Sequence, residues 1–201
     1  SEGGLVFGIC GGYQMLGAEV SDPEGVEQKG TVRGMGLLPV RTRFTGEKRI
    51  TRVQGHFLEL QGILKDLSGR EFEGYEIHMG ESSFLQEEDL RESPRSGSLV
   101  TFTDITEAEN PSERTCTDGA QQKNVYGCYV HGIFDAPGCA QGFISALLRE
   151  KGYDPSRIQV RDWKAYKEEQ YDRLADTIRE SLDMERIYQI IEKGNDAPCS
   201  L

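Results

Sequence analysis

A cysteine surrounded by glycines near the start of the chain is the strongest candidate for chemistry. Cys10 lies in the run Gly8–Gln14, which reads GICGGYQ. Because a nucleophile on a tight strand-to-helix turn needs neighbours without side chains, this run predicts an outward-facing thiol. A free thiol is mostly protonated at neutral pH, so the following helix and a nearby imidazole would both help to activate it. The turn also points the Gly11 amide at the place where an oxyanion would form.

The glycine pattern alone also fits a buried structural cysteine or a phosphate-binding loop. The phosphate interpretation is weakened because neither a Gly-Lys-Ser/Thr ending nor a Gly-x-Gly-x-x-Gly spacing is present. A second element favours catalysis: His131 ends a predicted strand over residues 125–130 and leads into a glycine loop. An imidazole there can accept the thiol proton. A lone histidine at a strand end is more often structural, so Cys10 and His131 support this hypothesis only together.

The segments that must position these side chains follow an α/β pattern. Apolar residues 5–7 predict a strand before the cysteine, and residues 13–16 predict the opening of a helix after it. Residues 34–78 have β character, with a turn expected at Gly46-Glu47, and are expected to add an antiparallel extension that includes a strand over 72–77. The expected architecture is a largely parallel sheet flanked by helices, with the nucleophile at the carboxyl end of a strand.

The second half of the chain is predicted to contain two helical segments. Apolar periodicity predicts a helix over 138–150 and a long helical stretch from about 157 to 193, with a break near Asp183 and a stop at Gly194. The polar stretch 86–124 contains one predicted strand, at 99–102, and is expected to be a mobile surface insertion.

Composition restricts the class of protein. The 201 residues predict a single domain, and 23 Lys and Arg against 34 Asp and Glu give a net charge of −11, which argues against nucleic acid or an anionic membrane as partner. No apolar run approaches the roughly 20 residues that span a bilayer. Five cysteines without a close pair and three scattered histidines predict reduced thiols in a cytoplasm and no metal site.

Four further motifs accompany the cysteine turn. They stand at residues 36–40, 74–80, 129–135 and 172–176 and read GLLPV, GYEIHMG, YVHGIFD and DRLAD. Together with GICGGYQMLG at 8–17, they resemble the class I, triad-type glutamine amidotransferases, and in particular the glutaminase domain of the cobyric acid synthase family. The resemblance extends from residue 3 to about residue 191 and implies a flavodoxin-like fold.

The resemblance implies a glutaminase reaction. Cys10 would attack the amide carbon of glutamine to give an oxyanion and then a γ-glutamyl thioester, and His131 would pass the proton to ammonia and later activate water. Gln14 is expected near the glutamine side chain. His78, Met79 and Gly80 would form a backbone wall against the α-amino and α-carboxylate groups of glutamine.

The family also implies a partner for the ammonia. In it, an N-terminal synthetase domain binds ATP, Mg²⁺ and adenosylcobyrinic acid diamide, and amidates side-chain carboxylates of that corrinoid. No cofactor is therefore expected within residues 1–201. We expect the chain to be a C-terminal glutaminase fragment that lacks the N-terminal part of its domain, including a second oxyanion donor, and to hydrolyse glutamine poorly on its own.

One position departs from the wider class. Many class I enzymes carry Glu two residues after the histidine, where this sequence has Ile133. Asp135 is the nearest acid and the candidate to orient the imidazole, although the cobyric acid synthase group resembles this two-residue Cys–His arrangement. Three alternatives stay open: a glutaminase subunit that amidates a cell-wall lipid precursor, a thiol hydrolase or peptidase for another amide, and a catalytically silent docking scaffold.

Overall fold

The computed structural model describes residues 3–86, 97–104, 115–136 and 138–193. The chain divides into two compact units, residues 1–160 and 161–201. The strands of the first unit are β1 (Val6–Ile9), β2 (Glu19–Asp22), β3 (Gly30–Arg33), β4 (Val40–Phe57), β5 (Glu71–Phe84), β6 (Val100–Asp104), β7 (Thr115–Asp118), β8 (Ala120–Gln122) and β9 (Val125–Cys128). Its helices are α1 (Gly11–Leu16) and α2 (Cys139–Glu150), with short 3₁₀ turns at Gly62–Leu67 and Pro155–Arg157.

The strands form two sheets. The smaller has the order β1-β9-β8, and the larger has the order β3-β2-β4-β6-β7 with β5 paired to β4. The predicted α/β class is confirmed. The sheets are not largely parallel as expected: β1 with β9 and β2 with β4 pair in parallel, while the other described pairs are antiparallel. Antiparallel pairs predominate because the predicted extension folds as the long β4–β5 hairpin, whose first strand also pairs with β6.

The predicted turn at Gly46-Glu47 is wrong. Strand β4 runs through both residues, and its register against β5 shifts between Arg43 and Lys48. Gly80 on the facing strand has φ +85°, and a Cβ there would lie 2.8 Å from the Arg43 carbonyl oxygen, so a glycine permits the close approach at this irregularity. A glycine within a β run can mark a bulge rather than a reversal.

The main apolar core lies where the β4–β5 hairpin and β9 pack against α2 and the 3₁₀ turn at Gly62–Leu67. It includes Phe57, Phe72, Leu64, Tyr126 and Ile133, all of which are buried. The predicted helix at 138–150 is confirmed as α2. None of the helices in the described ranges combines the length and apolar character needed to cross a bilayer.

The predicted surface insertion is described only in part. Residues 87–96 and 105–114 lie outside the described residues. The predicted strand at 99–102 is confirmed as β6, and β7 and β8 are strands that the sequence analysis did not predict. Whether this segment is mobile stays a prediction.

The second unit contains helices α3 (Trp163–Ser181) and α4 (Met184–Lys193). The predicted break near Asp183 is confirmed, because the Asp183 side chain accepts a hydrogen bond of 3.0 Å from the Arg186 amide and starts a new helix there. Asp162 caps α3 in the same way through the Ala165 amide. The predicted stop at Gly194 lies outside the described residues.

Gly8 is required for the packing of β1 against α1, and its replacement tests this arrangement. A Cβ at Gly8 would lie 2.6 Å from Leu16 Cδ1 and 2.8 Å from the Gly12 backbone. We expect Gly8→Ala to lower the free energy of unfolding by about 1–3 kcal/mol, measured by urea denaturation. Gly12→Ala is the matched control, because within the described residues no heavy atom beyond its chain neighbours and its own helix backbone lies within 4 Å of its added Cβ. Equal stabilities of the two variants would contradict this account of the turn.

Candidate active site

The turn between β1 and α1 holds Cys10 in a strained conformation. Its φ is +54° and its ψ is −117°, in a region that side-chain-bearing residues rarely adopt. The Cys10 amide donates a 2.9 Å hydrogen bond to the Cys128 carbonyl, and its carbonyl accepts one of 3.2 Å from the Gln14 amide. These bonds fix the backbone on both sides of the residue, and the side chain remains half-buried.

Parallel pairing brings the nucleophile candidate and the base candidate to one edge of the smaller sheet. Strand β1 pairs with β9 in a register that sets Ile9 opposite Cys128. Cys10 therefore follows the end of β1 by one residue, and His131 follows the end of β9 by three. The carboxyl edge of parallel strands is where α/β sheets place ligands and reacting groups.

Strand β5 then crosses this edge and contacts both residues. The Tyr75 amide donates to the His131 carbonyl at 3.1 Å, and the His131 amide donates to the Tyr75 carbonyl at 2.8 Å. Two residues later, the Ile77 carbonyl accepts a hydrogen bond of 3.5 Å from the Cys10 thiol. Alternate residues of a strand direct their backbone groups to the same edge, about 7 Å apart. The strand thus sets the spacing between the thiol and the histidine backbone.

Gln14 is attached to the same edge of β5. Its side-chain nitrogen donates hydrogen bonds of 3.2 Å to the Met79 carbonyl and 3.1 Å to the Tyr129 hydroxyl. The side chain is buried, and both amide hydrogens are used within the protein. Gln14 therefore braces α1 against β5, and its predicted contact with glutamine stays a prediction.

The His131 ring is placed by an aromatic neighbour. It stacks on the Tyr75 ring with centroids 5.1 Å apart and an angle of 5° between the planes. The two backbones approach closely because residue 74 is glycine: a Cβ there would lie 2.3 Å from the His131 carbonyl oxygen. Tyr75 was not among the predicted site residues, although it lies in the GYEIHMG motif and alternates with Ile77 along the strand.

Asp135 has no described contact with the imidazole. Within the described residues, no hydrogen bond joins it to His131 and no carboxylate oxygen lies within 4 Å of a His131 ring nitrogen. The Asp135 amide instead donates a hydrogen bond of 2.8 Å to the Gly132 carbonyl and closes a turn. Ile133, at the position where many class I enzymes carry Glu, is completely buried in the apolar core. The orienting role of Asp135 stays a prediction.

Gly11 is the first residue of α1. The first amides of a helix have no acceptor within the helix, so the Gly11 amide is a suitable donor beside the thiol. Its role as the oxyanion donor stays a prediction.

His78 lies on the opposite face of β5 from Tyr75 and Ile77. Its ring stacks on Tyr129 with centroids 3.7 Å apart, and its Nδ1 lies 3.1 Å from the Gly80 carbonyl, which fixes a proton on that nitrogen because a carbonyl can only accept. These contacts place the His78 ring against Tyr129 and the Gly80 backbone. The predicted backbone wall at His78, Met79 and Gly80 stays a prediction.

Charged side chains lie near these two rings, with Glu76 beside His78 and Asp118 beside the Tyr129 backbone. Glu76 is 2% exposed; its Oε1 lies 3.9 Å from His78 Nε2, and its Oε2 lies 2.7 Å from Arg49 Nε in an ion pair. Asp118 accepts a 2.7 Å hydrogen bond from the Tyr129 amide, and burial, together with the charge of Glu76, raises the pKa of its carboxyl to about 6. Sequence analysis missed Asp118, because its strand β7 lies in the polar stretch that was expected to be surface.

No metal site is evident in the described residues. Across the described ranges, no three His, Cys, Asp or Glu side chains converge on a point where a metal ion could bind.

Comparison with known proteins identifies the family to which this geometry belongs. A family profile described as the CobB/CobQ-like glutamine amidotransferase domain matches residues 1–138. The chain belongs to this glutamine amidotransferase family. The match covers α1, the β4–β5 hairpin and β9, and therefore all the elements that carry the candidate site.

Curated relatives of this glutamine amidotransferase domain are cobyric acid synthases. That of Ruminiclostridium cellulolyticum is 48% identical over 189 residues, covering 94% of the chain and 35% of the relative. That of Lachnoclostridium phytofermentans is 45% identical over 192 residues (94% and 36%), and that of a Thermoanaerobacter species is 36% identical over 199 residues (97% and 37%). The predicted resemblance is confirmed, and these relatives give no support to the three alternatives. The chain spans about a third of the length of these relatives.

The raised pKa of Asp118 predicts a pH dependence of stability. Because its folded-state pKa of about 6 lies above the ordinary value of 3.8, the folded protein binds the proton more tightly than the unfolded chain. The stabilisation of the fold that comes from this tighter proton binding is therefore fully present below about pH 4 and is lost as pH rises through 6. Asp118→Asn retains an acceptor for the Tyr129 amide, so the variant should gain about 1–3 kcal/mol relative to the parent between pH 4.5 and 7 in urea denaturation.

Asp154→Asn is the control for this measurement. The pKa of Asp154 is lowered by hydrogen bonds from Ser156, so its contribution is present above pH 4 and is lost only as pH falls below that. The difference in free energy of unfolding between Asp154→Asn and the parent should not change with pH between pH 4.5 and 7. An equally flat difference for Asp118→Asn would contradict the assignment.

Proposed function

We propose that the chain hydrolyses glutamine with Cys10 as nucleophile and His131 as general acid and base. The observation that supports this most is the shared contact with β5, where neighbouring alternate residues bond the Cys10 thiol and the His131 backbone. Family membership supports the substrate, because the matching profile is that of a glutamine amidotransferase domain. The Ile77 carbonyl accepts a bond from the Cys10 thiol and the Tyr75 carbonyl accepts one from the His131 amide, so both residues are attached to one strand before substrate binds.

The reaction divides into two halves. His131 takes the thiol proton, and the Cys10 sulfur forms a bond to the amide carbon of glutamine, so that the carbonyl oxygen carries the negative charge. The C–N bond then breaks and the proton on the imidazole moves to the leaving nitrogen, which departs as ammonia. Water, deprotonated by His131, attacks the γ-glutamyl thioester, and glutamate leaves as the sulfur recovers its proton.

The negative oxygen in both halves requires hydrogen-bond donors. We propose the Gly11 amide as one, since it is the first amide of α1 and follows the nucleophile directly. Removal of one such donor typically lowers turnover by about 10²–10³-fold in comparable hydrolases. Gln14 holds α1 against β5 through Met79, and this brace keeps that amide in place.

We propose that the ammonia serves corrinoid amidation. The relatives described above are cobyric acid synthases about three times as long as the matched region. Residues 1–201 would then act as one glutaminase domain, and an accompanying synthetase domain would bind ATP, Mg²⁺ and adenosylcobyrinic acid diamide. We also propose a cytoplasmic location, because no disulfide joins the described cysteines at 10, 116, 128 and 139.

Substitution of the two reacting residues tests the assignment. We expect Cys10→Ser and His131→Ala each to lower glutamine-dependent ammonia release by at least about a thousandfold, since the loss of either leaves only binding and the oxyanion donor. Asp135→Asn should lower it far less, because no described contact joins that side chain to the imidazole. Ammonia is measured with a coupled glutamate dehydrogenase assay. An equal loss in Asp135→Asn and His131→Ala would identify Asp135 as the orienting acid.

Labelling with 6-diazo-5-oxo-L-norleucine, a glutamine-like electrophile, separates the function classes. A glutaminase should be alkylated at Cys10, and free glutamine should slow the reaction, as followed by intact-mass and peptide mass spectrometry. Cleavage of peptide substrates without this labelling would indicate a peptidase. A thiol that reacts no faster than the exposed cysteine of a denatured sample would contradict the catalytic assignment and leave a docking scaffold.

A further inference from the structure

We infer that the aromatic ring of Tyr75 is a positioning residue for the His131 imidazole and supplies, through its face, the orientation that a carboxylate supplies in other class I enzymes. The inference rests on the proposed glutaminase function. It concerns how the base is held, and it assigns no contact between Tyr75 and glutamine.

The geometry of the two rings carries the inference. Their planes are 5° apart and their centroids 5.1 Å apart, within the range of favourable offset stacking. The backbones of the two residues are joined by two hydrogen bonds, of 2.8 and 3.1 Å. This pairing holds the two side chains next to each other. Gly74 allows this approach, because any side chain there would collide with the His131 carbonyl.

The acids that could compete for this role are poorly placed. Ile133 occupies the usual position of the glutamate and is buried among apolar side chains. Asp135 closes its own turn through the Gly132 carbonyl, and Glu76 and His78 point to the opposite face of β5. On the face of β5 that carries Tyr75 and Ile77, the described contact to the imidazole ring is therefore the tyrosine ring.

An aromatic face also suits the chemistry. When the imidazole accepts the thiol proton it becomes a cation, and the face of an aromatic ring attracts a cation. Stacking restricts rotation of the imidazole about its Cβ–Cγ bond, and the proposed role of Tyr75 is to hold one ring nitrogen toward the thiol by this restriction. Tyr75 is 45% exposed, so packing of the core does not account for a large aromatic residue at this position.

Side-chain substitution isolates the ring, because both backbone bonds to His131 remain in any non-proline variant. We expect Tyr75→Leu to lower kcat for glutamine hydrolysis by about threefold to tenfold, with KM changed by less than about twofold. Tyr75→Phe should keep at least about half of the parent kcat, because it keeps the ring face. Tyr153→Leu, at an exposed tyrosine of the same unit, is the matched control and should leave both constants unchanged.

The rate of alkylation of Cys10 by 6-diazo-5-oxo-L-norleucine gives a second readout that does not depend on ammonia release. It should fall in the order parent, Tyr75→Phe, Tyr75→Leu, with equal unfolding midpoints in the latter two. Three results would overturn the inference: parent-like kcat and alkylation in Tyr75→Leu, equal losses in the Phe and Leu variants, or a rise in KM at constant kcat. A parent chain that neither releases ammonia nor is labelled at Cys10 would instead overturn the proposed function, and the inference with it.

Discussion

The candidate site depends on hydrogen bonds from the outer edge of one strand. Along β5, the carbonyls of Tyr75, Ile77 and Met79 accept bonds from the His131 amide, the Cys10 thiol and the Gln14 side chain. The three acceptors are backbone atoms of alternate residues, so their spacing is fixed by the geometry of an extended chain. An unpaired strand edge normally invites association with other chains. Here the backbone groups on this edge of β5 instead bond the Cys10 turn and the His131 loop.

This arrangement requires close backbone approaches and local strain. Cys10 has a positive φ, and glycine is needed at positions 8, 74 and 80 because a Cβ at each would collide with a neighbouring element. A network of polar side chains lies next to this edge. The Tyr129 hydroxyl accepts a hydrogen bond from the Gln14 side-chain nitrogen and lies 2.8 Å from the Ser82 hydroxyl oxygen. Such networks are costly when unsatisfied and confer a single arrangement when complete. The stability of this hydrogen-bond network and the geometry of the site are therefore coupled.

Local sequence signals predicted the parts of the site that local structure determines. Glycines around Cys10, and a β-branched and aromatic strand before His131, indicate a nucleophile turn and a base at a strand end, and both elements are present. The break near Asp183 could be predicted because a helix cap is also a local signal. Motif resemblance gave the family, which the profile match confirms.

The missing parts depend on contacts between residues distant in sequence. Nothing near Tyr75 in the sequence indicates that its ring meets that of His131, 56 positions later, because that contact follows from an isolated antiparallel bridge between the two residues. Asp118 was missed because its hydrogen bond from the Tyr129 amide joins two elements, a contact that the polar sequence around it does not indicate. The turn assigned to Gly46 was wrong because a glycine signal does not distinguish a chain reversal from a bulge, which the partner strand decides.

A crystal structure of the chain alkylated at Cys10 by 6-diazo-5-oxo-L-norleucine tests the central claim most directly. The account predicts an adduct on Cys10 Sγ, a nitrogen of His131 within about 3.2 Å of a polar atom of that adduct, and the Tyr75 and His131 backbones still joined by both hydrogen bonds. An adduct that leaves the imidazole turned away, with β5 displaced from the Cys10 turn, would contradict it.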